Sequence, residues 1–490
     1  MEHNLLKNIE VLEKAGNFNV ENVSALVLSS KKIIKDCLFF AMRGGKFDGH
    51  DFIDEVIEGG ARVIICEKIP KNINKEALYI KVADTNIACA IISSNFYGNP
   101  SSKLKLIGIT GTNGKTTVAS LSAELMRKLG YKVGLISTVG DKILGEKTVE
   151  VESGRTTPTT PDSIVINDLL YKMVSQGCSH AFMEVSSHSV SLGRMNGLTF
   201  AGGVFTNLTQ DHLDFHGNME NYAKAKQGFF NHLSGEAFAI SNIDDEYGLM
   251  MLHDTPAFKK FYSLDDSEVE YFGTIIKNSF EGVEILIDGM EVKTNLVGTF
   301  NAYNTLAIYG TTVELGEDKT KVAKILGELT PVSGRVQYFK STSGVVGLVD
   351  YAHTPDAMEK ILKTVNEIKD DGAKVITVFG CGGDRDSTKR PIMGRIAGEL
   401  SDITIITSDN PRSEDPQKIT DQIIKGIENA DLQTKTILAI LDRREAIKKA
   451  SELASSGDVI ALLGKGHEDY QLVGTEKHHF SDLEELKKVI

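Results

Sequence analysis

Lys103-Leu104-Lys105-Leu106-Ile107-Gly108-Ile109-Thr110-Gly111-Thr112-Asn113-Gly114-Lys115-Thr116-Thr117 sets an apolar run against a glycine turn. Leu104, Leu106, Ile107 and Ile109 predict a buried strand, and Val118, Leu121, Leu125 and Leu129 predict a helix directly after the turn. Strand, glycine turn and helix in succession are the context of a phosphate loop. Gly111 and Gly114 let backbone N–H groups approach an anion, and the helix N-terminus adds partial positive charge. Lys115 would reach the terminal phosphates and the Thr116 hydroxyl would bind Mg²⁺. Ile109 stands where the strict G-x-x-x-x-G-K-[ST] pattern has its first glycine. Gly111, Thr112, Asn113, Gly114, Lys115, Thr116 and Thr117 are accordingly read as a nucleotide triphosphate site rather than a plain turn of a βα unit.

Upstream of this stretch, strands are predicted at 24–28, 37–42, 61–66 and 77–82 and helices at 52–58 and 86–96, which is a small α/β module. The glycine-rich run from Arg43 to His50 is read as a flexible turn, and Asn99-Pro100-Ser101-Ser102 as a linker. Downstream, strands at 133–137, 181–185, 203–208 and 238–240 alternate with helical patterns, so a mostly parallel sheet is expected. Thr160-Pro161-Asp162 predicts a helix start with Thr160 as cap. Between Glu268 and Val297 the pattern alternates around Asp288-Gly289, the signal of an antiparallel hairpin. Helices at 303–315 and 319–329 follow. From about Ser333 strand and helix alternate again to Gly464, as in a Rossmann-like domain, without a G-x-G-x-x-G turn for a dinucleotide. The expected fold is α/β in three domains, 1–102, 103–332 and 333–490.

Composition narrows the function. A length of 490 residues exceeds one ordinary core, and a hydrophobic fraction of 41% with 25% charged residues suits a globular protein. The net charge of −13, with no basic face, argues against nucleic acid. Five scattered cysteines in apolar runs predict buried free thiols in a reducing compartment. The N-terminus lacks a signal-peptide core and no run approaches a membrane span, so a cytoplasmic protein is expected.

Several polar clusters follow strands. Glu184 in Met183-Glu184-Val185-Ser186-Ser187-His188 is either a Mg²⁺ ligand or a carboxylate held by turn amides. The run from Thr206 to Gly217, with His212 and His216, is either a second cation site or a solvated loop. Lys226 lies near the apolar face of a helix, where a lysine ordinarily extends outward to water. In the last third, Asp350–Asp356, Gly380–Asp386, Asp409–Arg412 and Gly464–Asp469 would gather at one sheet edge. Arg385 and Arg412 suit carboxylates and Glu468 suits an ammonium, a combination that fits a zwitterionic amino acid.

With TTPTTP (Thr156–Pro161), MEVSSH, HLDFHG, GxFNxYN (Gly298–Asn304), DYAHTPD and GKGHEDYQ, nearly the whole chain resembles the Mur ligases, ATP-dependent amide-forming enzymes of peptidoglycan precursor synthesis. It is most similar to the member that adds the third residue, and Asp409-Asn410-Pro411-Arg412 resembles the version selecting meso-diaminopimelate. The resemblance implies an N-terminal UDP-substrate module, a central ATP domain and a C-terminal amino-acid domain. It implies ATP as cosubstrate, two Mg²⁺ ions, and UDP-N-acetylmuramoyl-L-alanyl-D-glutamate and diaminopimelate as the other substrates of a monomer. Lys226 matches a carbamylated lysine (N6-carboxylysine) that helps hold Mg²⁺ with His212, while Glu184 and Thr116 match other ligands; Lys115, Lys226, His212 and Glu184 form the implied catalytic set. Asn301, Arg335, Asp350 and His353 match ATP contacts. Thr157, Ser186 and Arg194 match muramoyl-dipeptide contacts. Arg385, Asp409, Asn410, Arg412, Gly464 and Glu468 match the amino-acid pocket. Ser29-Ser30-Lys31 replaces the usual Asp-Ser-Arg, keeping Ser30 for the UDP moiety with altered flanking charges. A sister ligase for L-lysine or another diamino acid, and a nucleotide-dependent switch or binding module, are the alternatives.

Overall fold

The strand Lys105–Thr110 is buried from Leu106 onward in the interior of an eleven-stranded sheet, as its unbroken apolar run requires. The computed structural model describes residues 5–44, 47–152, 159–428, 435–474 and 476–490. Across the sheet the order is Met290–Lys293, Gly282–Ile287, Tyr271–Ser279, Phe258–Ser263, Phe238–Asn242, Gly202–Phe205, Lys105–Thr110, His180–Glu184, Val133–Ser137, Gly140–Leu144 and Val149–Glu150. The middle is parallel from Tyr271–Ser279 to Val133–Ser137, and both flanks are antiparallel. Asp288 and Gly289, both at positive φ, turn the hairpin that alternation predicts. Helices Lys115–Lys128 and Thr299–Glu314 pack on one face through Val118, Leu121, Leu125 and Leu306. On the other face Ser163–Ser175 and Met219–Asn231 bury Ile166, Leu169, Phe229 and Phe230.

A five-stranded sheet precedes this body, in the order Glu13–Gly16, Leu78–Lys81, Val63–Cys66, Leu38–Phe40 and Leu26–Val27. Its edge strand Glu13–Gly16 was invisible in the sequence because it carries no apolar alternation, yet it pairs antiparallel with Leu78–Lys81. The C-terminal six-stranded sheet runs Gln337–Lys340, Val346–Asp350, Val459–Leu463, Val375–Phe379, Ile403–Ile406 and Thr436–Ala439, parallel except for its first strand. Asp350 ends one of these strands, and Gly380, Asp409 and Gly464 follow the ends of three others, so all four occupy one edge. All five cysteines are buried and free.

One local reading is corrected. The helix Ser163–Ser175 is capped by Asp162, whose carboxylate accepts the N–H groups of Ile164 and Val165 at 3.1 Å each. Thr160 instead donates its hydroxyl to the Glu184 carbonyl at 2.8 Å. The carboxylate is the stronger acceptor for the exposed helical N–H groups, and it wins the cap.

Two packing features stiffen the last third. Helices Lys389–Leu400 and Pro416–Glu428 cross backbone on backbone: a Cβ on Gly394 would lie 2.1 Å from the Ile423 carbonyl oxygen, and one on Gly426 would lie 1.8 Å from that of Pro391. Separately, Arg443 and Asp482 form a fully buried bidentate pair at 2.7 Å, and Arg443 also donates to the Leu463 carbonyl at 3.1 Å. This pair fastens the terminal helix Asp482–Val489 to the strand that leads into Gly464. Asp482→Ala leaves a buried guanidinium without its partner and is expected to cost about 3–5 kcal/mol. A melting transition unchanged from wild type would contradict the pair's role.

Candidate active site

The phosphate loop is pressed against the segment after Phe205. An added Cβ on Gly111 (φ +149) would sit 1.9 Å from the Thr206 hydroxyl oxygen, and Gly114 (φ +86) turns the chain into the helix Lys115–Lys128. Thr112 donates its N–H to the Asn207 carbonyl at 2.7 Å, Asn113 its N–H to Asn207 Oδ1 at 3.0 Å, and the Thr206 hydroxyl donates to the Asn113 carbonyl at 2.6 Å. Lys115 folds back on this frame, donating to the carbonyls of Gly111 (2.9 Å) and Thr112 (2.7 Å).

Lys226 meets the same Gly111 carbonyl at 2.7 Å. The outward orientation expected for this lysine is wrong: it is 1% exposed, on the buried stripe Tyr222, Ala223, Lys226, Phe229, Phe230. Its ammonium lies 4.8 Å from the centre of the Tyr222 ring. Burial, with the charge of Lys115 nearby, pushes the Lys226 amine well below the ordinary lysine range. Burial also lowers Lys115. Two lysines on one carbonyl, with no ion pair to a carboxylate among the described residues, is an arrangement built for added negative charge.

The Glu184 carboxylate is buried and accepts the Thr138 N–H at 2.8 Å and its hydroxyl at 3.2 Å, so turn donors do hold it; it also lines the cavity containing Lys115. His212, at positive φ (+53), borders the same cavity beside Asp211 and stacks edge-on against His188 at 4.8 Å. Thr116 accepts from the Arg335 guanidinium at 3.2 Å. Ser186 caps the helix Ser187–Ser191, and Arg194 donates to the Thr160 carbonyl at 2.8 Å. Neither lines the two cavities described here, nor does Ser30, which lies in the turn Ser30–Lys32 of the first sheet's unit. Thr157 lies outside the described residues.

Two cavities meet at the loop. One, of about 360 Å³, is lined by Asn113, Gly114, Asn301, Arg335, Asp350 and His353. The other, of about 420 Å³, is lined by Lys115, Glu184, His212, Arg385, Arg412 and Glu468 among others. They share Asn113, Gly114, Thr117, Arg335, Tyr351 and His353, so the phosphate loop and the edge of the C-terminal sheet face each other. Asp350 accepts the N–H groups of Val336 (2.8 Å) and Ala352 (2.7 Å), and the Arg335 guanidinium stacks on Tyr351 at 4.7 Å. Asn410 donates to Glu468 at 2.8 Å, and Arg412, at φ +52, donates to the Gly383 carbonyl at 2.7 Å. Asp409 is buried below, and Gly464 (φ +112) passes near it. Arg385 is exposed at the rim; neither it nor Arg412 pairs with a carboxylate among the described residues.

Comparison with known proteins fits this geometry. Family models match as the Mur ligase middle domain over residues 109–312, the Mur ligase glutamate ligase domain over 334–466 and the Mur ligase family catalytic domain over 22–97. A UDP-N-acetylmuramoyl-L-alanyl-D-glutamate--2,6-diaminopimelate ligase of Parabacteroides distasonis is 46% identical over 479 residues, covering 98% of this chain and 96% of that protein. The chain belongs to the Mur ligase family. A second relative of this Mur ligase, with the same name and from Phocaeicola vulgatus, is 45% identical over 99% of this chain and 98% of its own. A solved diaminopimelate ligase structure superposes with a TM-score of 0.68 at 31% identity, covering 95% of this chain and 94% of that one.

Three contacts of this Mur ligase escaped the sequence. Asn113 of the phosphate loop donates to the Asp356 carboxylate at 2.8 Å, joining the central sheet's loop to the first helix of the last sheet's unit, Pro355–Ile368. Lys389 donates to the His353 carbonyl at 2.8 Å. Lys465 is wholly buried among Asp409, Asn410 and Glu468. The Gly464-Lys465-Gly466 triplet was the available signal for the last; the others join residues more than thirty positions apart and leave no local trace.

Proposed function

We propose that this Mur ligase joins meso-2,6-diaminopimelate to UDP-N-acetylmuramoyl-L-alanyl-D-glutamate, converting ATP to ADP and phosphate, a step of peptidoglycan precursor synthesis. The observation that carries the reading is the shared wall between the phosphate-loop cavity and a pocket bearing Arg385, Arg412 and Glu468. A carboxylate is a poor electrophile, so its oxygen first takes the γ-phosphoryl group of ATP, giving an acyl phosphate and ADP. The uncharged amine of the diamino acid then attacks the carbonyl carbon, the C–N bond forms, phosphate leaves with the former carboxylate oxygen, and the nitrogen gives up one proton to the departing phosphate or to solvent. Lys115 and the loop N–H groups hold the transferring group, and Arg335 spans from Thr116 to the last sheet's unit. Asn301, Asp350 and His353 line the nucleotide side. Arg385 and Arg412 offer forks for the carboxylates of diaminopimelate, while Asp409, Asn410, Gly464 and Glu468 receive its polar groups.

The division of labour follows the sheets: residues 1–102 with Ser30 for the UDP moiety, 103–332 for ATP, 333–490 for the amino acid. Thr157, Ser186 and Arg194 are assigned to the muramoyl-dipeptide. Two Mg²⁺ ions fit the donor set, held by Thr116 and Glu184, and by His212 with Lys226 as N6-carboxylysine. Among the described residues no three carboxylate, imidazole or thiol side chains are placed to hold a metal ion by themselves, so the Thr116 hydroxyl, the carbamate and substrate oxygens would complete such sites. Bound there, Mg²⁺ would supply charge neutralisation to the transferring phosphoryl group. No helix among the described residues is long and apolar enough to cross a membrane. The reading places the ligase in the cytoplasm as a monomer acting on small molecules, with no nucleic-acid or membrane partner.

The test offers the UDP-dipeptide and ATP with diaminopimelate or L-lysine and follows phosphate release. Release is expected with diaminopimelate and at most weakly with lysine. Equal or faster turnover with lysine would overturn the amino-acid assignment, and ATP hydrolysis at full rate without either cosubstrate would favour a nucleotide switch.

A further inference from the structure

Beneath the pocket, Lys465 is completely buried, and its ammonium lies 3.0 Å from Glu468 Oε2, 3.4 Å from Asp409 Oδ1 and 3.3 Å from Asn410 Oδ1. Asn410 donates to the same Glu468 Oε2 at 2.8 Å. Both side-chain hydrogen bonds to Glu468 therefore fall on one oxygen, and Oε1 accepts none from the described residues. Two carboxylates sharing one ammonium keep a net charge of −1, the complement of one incoming cation. We propose that Lys465 is a positioning residue of the amino-acid pocket, which fixes Glu468 in an orientation and charge state ready for an ammonium group of the diamino acid. The inference rests on the ligase reading above and names a residue through which that specificity acts.

Without Lys465 the two acids would stand together in a largely desolvated site, where one of them takes up a proton. Burial, and then the charge of Asp409, already push the Glu468 carboxyl above the ordinary range, and Lys465 opposes them. The other groups facing Glu468 are Asn410 and the rings of Tyr351 and Tyr470, with Arg443 acting from below. None of these stands as a direct ion-pair partner of Glu468 in place of Lys465. A protonated Glu468 would offer an ammonium a neutral partner instead of a charged one, and the loss would be selective for the amino acid.

Lys465→Met is the test, with Michaelis constants measured for all three substrates. At about pH 7 the KM for diaminopimelate is expected to rise about 30-fold relative to wild type, the loss of a charged hydrogen-bonding partner, while those for ATP and the UDP-dipeptide stay within about twofold. At about pH 8.5 the ratio to wild type should shrink several-fold as Glu468 ionises again. Lys465→Gln, which keeps a donor and removes the charge, is the second variant should methionine unfold the protein, and the same pattern is expected of it. A diaminopimelate KM that does not move, or a pH-independent loss spread over all three substrates, would overturn the proposal. A wild-type enzyme that uses L-lysine instead would sink only the substrate assignment; the Lys465 ratio is then read on lysine. Wild-type protein that ligates neither overturns both.

Discussion

Lys226→Ala is expected to lower ligation by about 10³-fold or more, with partial recovery when formate or acetate is added. The basis is charge bookkeeping around the Gly111 carbonyl, where the ammonium groups of Lys115 and Lys226 both arrive within 3 Å. A lysine enclosed by Tyr222, Ala223, Phe229 and Phe230, with its amine driven toward the neutral form, is able to react with carbon dioxide. A carbamate formed there would place a negative charge beside Lys115, its one proton passing to solvent. Alanine removes the carrier but leaves a space beside the loop in which a small carboxylate can stand. Wild-type turnover in this variant, measured as phosphate release with all three substrates, would show that the buried amine has no part in the chemistry. Recovery with chloride as effective as with formate would point to ionic strength instead.

Lys115→Ala is expected to fall by a similar factor, about 10³-fold, without rescue by carboxylates. Here the missing group is the point charge that the helix start places beside the phosphate loop, and a carboxylate has the wrong sign to replace it. Because both lysines meet at one carbonyl, the double variant should lose little more than either single one. Fully additive losses would mean that the two side chains act in separate steps.

Much of this architecture was readable in the chain because it rests on local grammar. The strand Lys105–Thr110, its glycine turn and the following helix are written in neighbouring residues, and so is the Asp288-Gly289 hairpin. The edge strands Glu13–Gly16 and Gln337–Lys340 were not, since a strand paired on one side needs little apolar content. The site divides the same way. Asp350 and Gly464 are announced by the strands that end there, whereas the burial of Lys226 depends on a carbonyl 115 residues away. The choice of Asp162 over Thr160 as helix cap left no local trace, because the partners that hold the Thr160 hydroxyl, the Glu184 carbonyl and the Ser186 N–H, lie outside the helix.

The glycine crossing of Lys389–Leu400 with Pro416–Glu428 bears on how the ligase meets its amine. Arg390, on the first of these helices, clamps Glu414 through its two terminal guanidinium nitrogens at 2.8 and 2.9 Å, and Glu414 closes the loop that carries Asn410 and Arg412 into the second. With main chains touching at Gly394 and Gly426, neither helix can slide without a steric clash. The wall bearing Arg412 is thus a fixed template, so the contact energy of a well-matched guest goes into affinity and alignment, and little is diverted into ordering this part of its host.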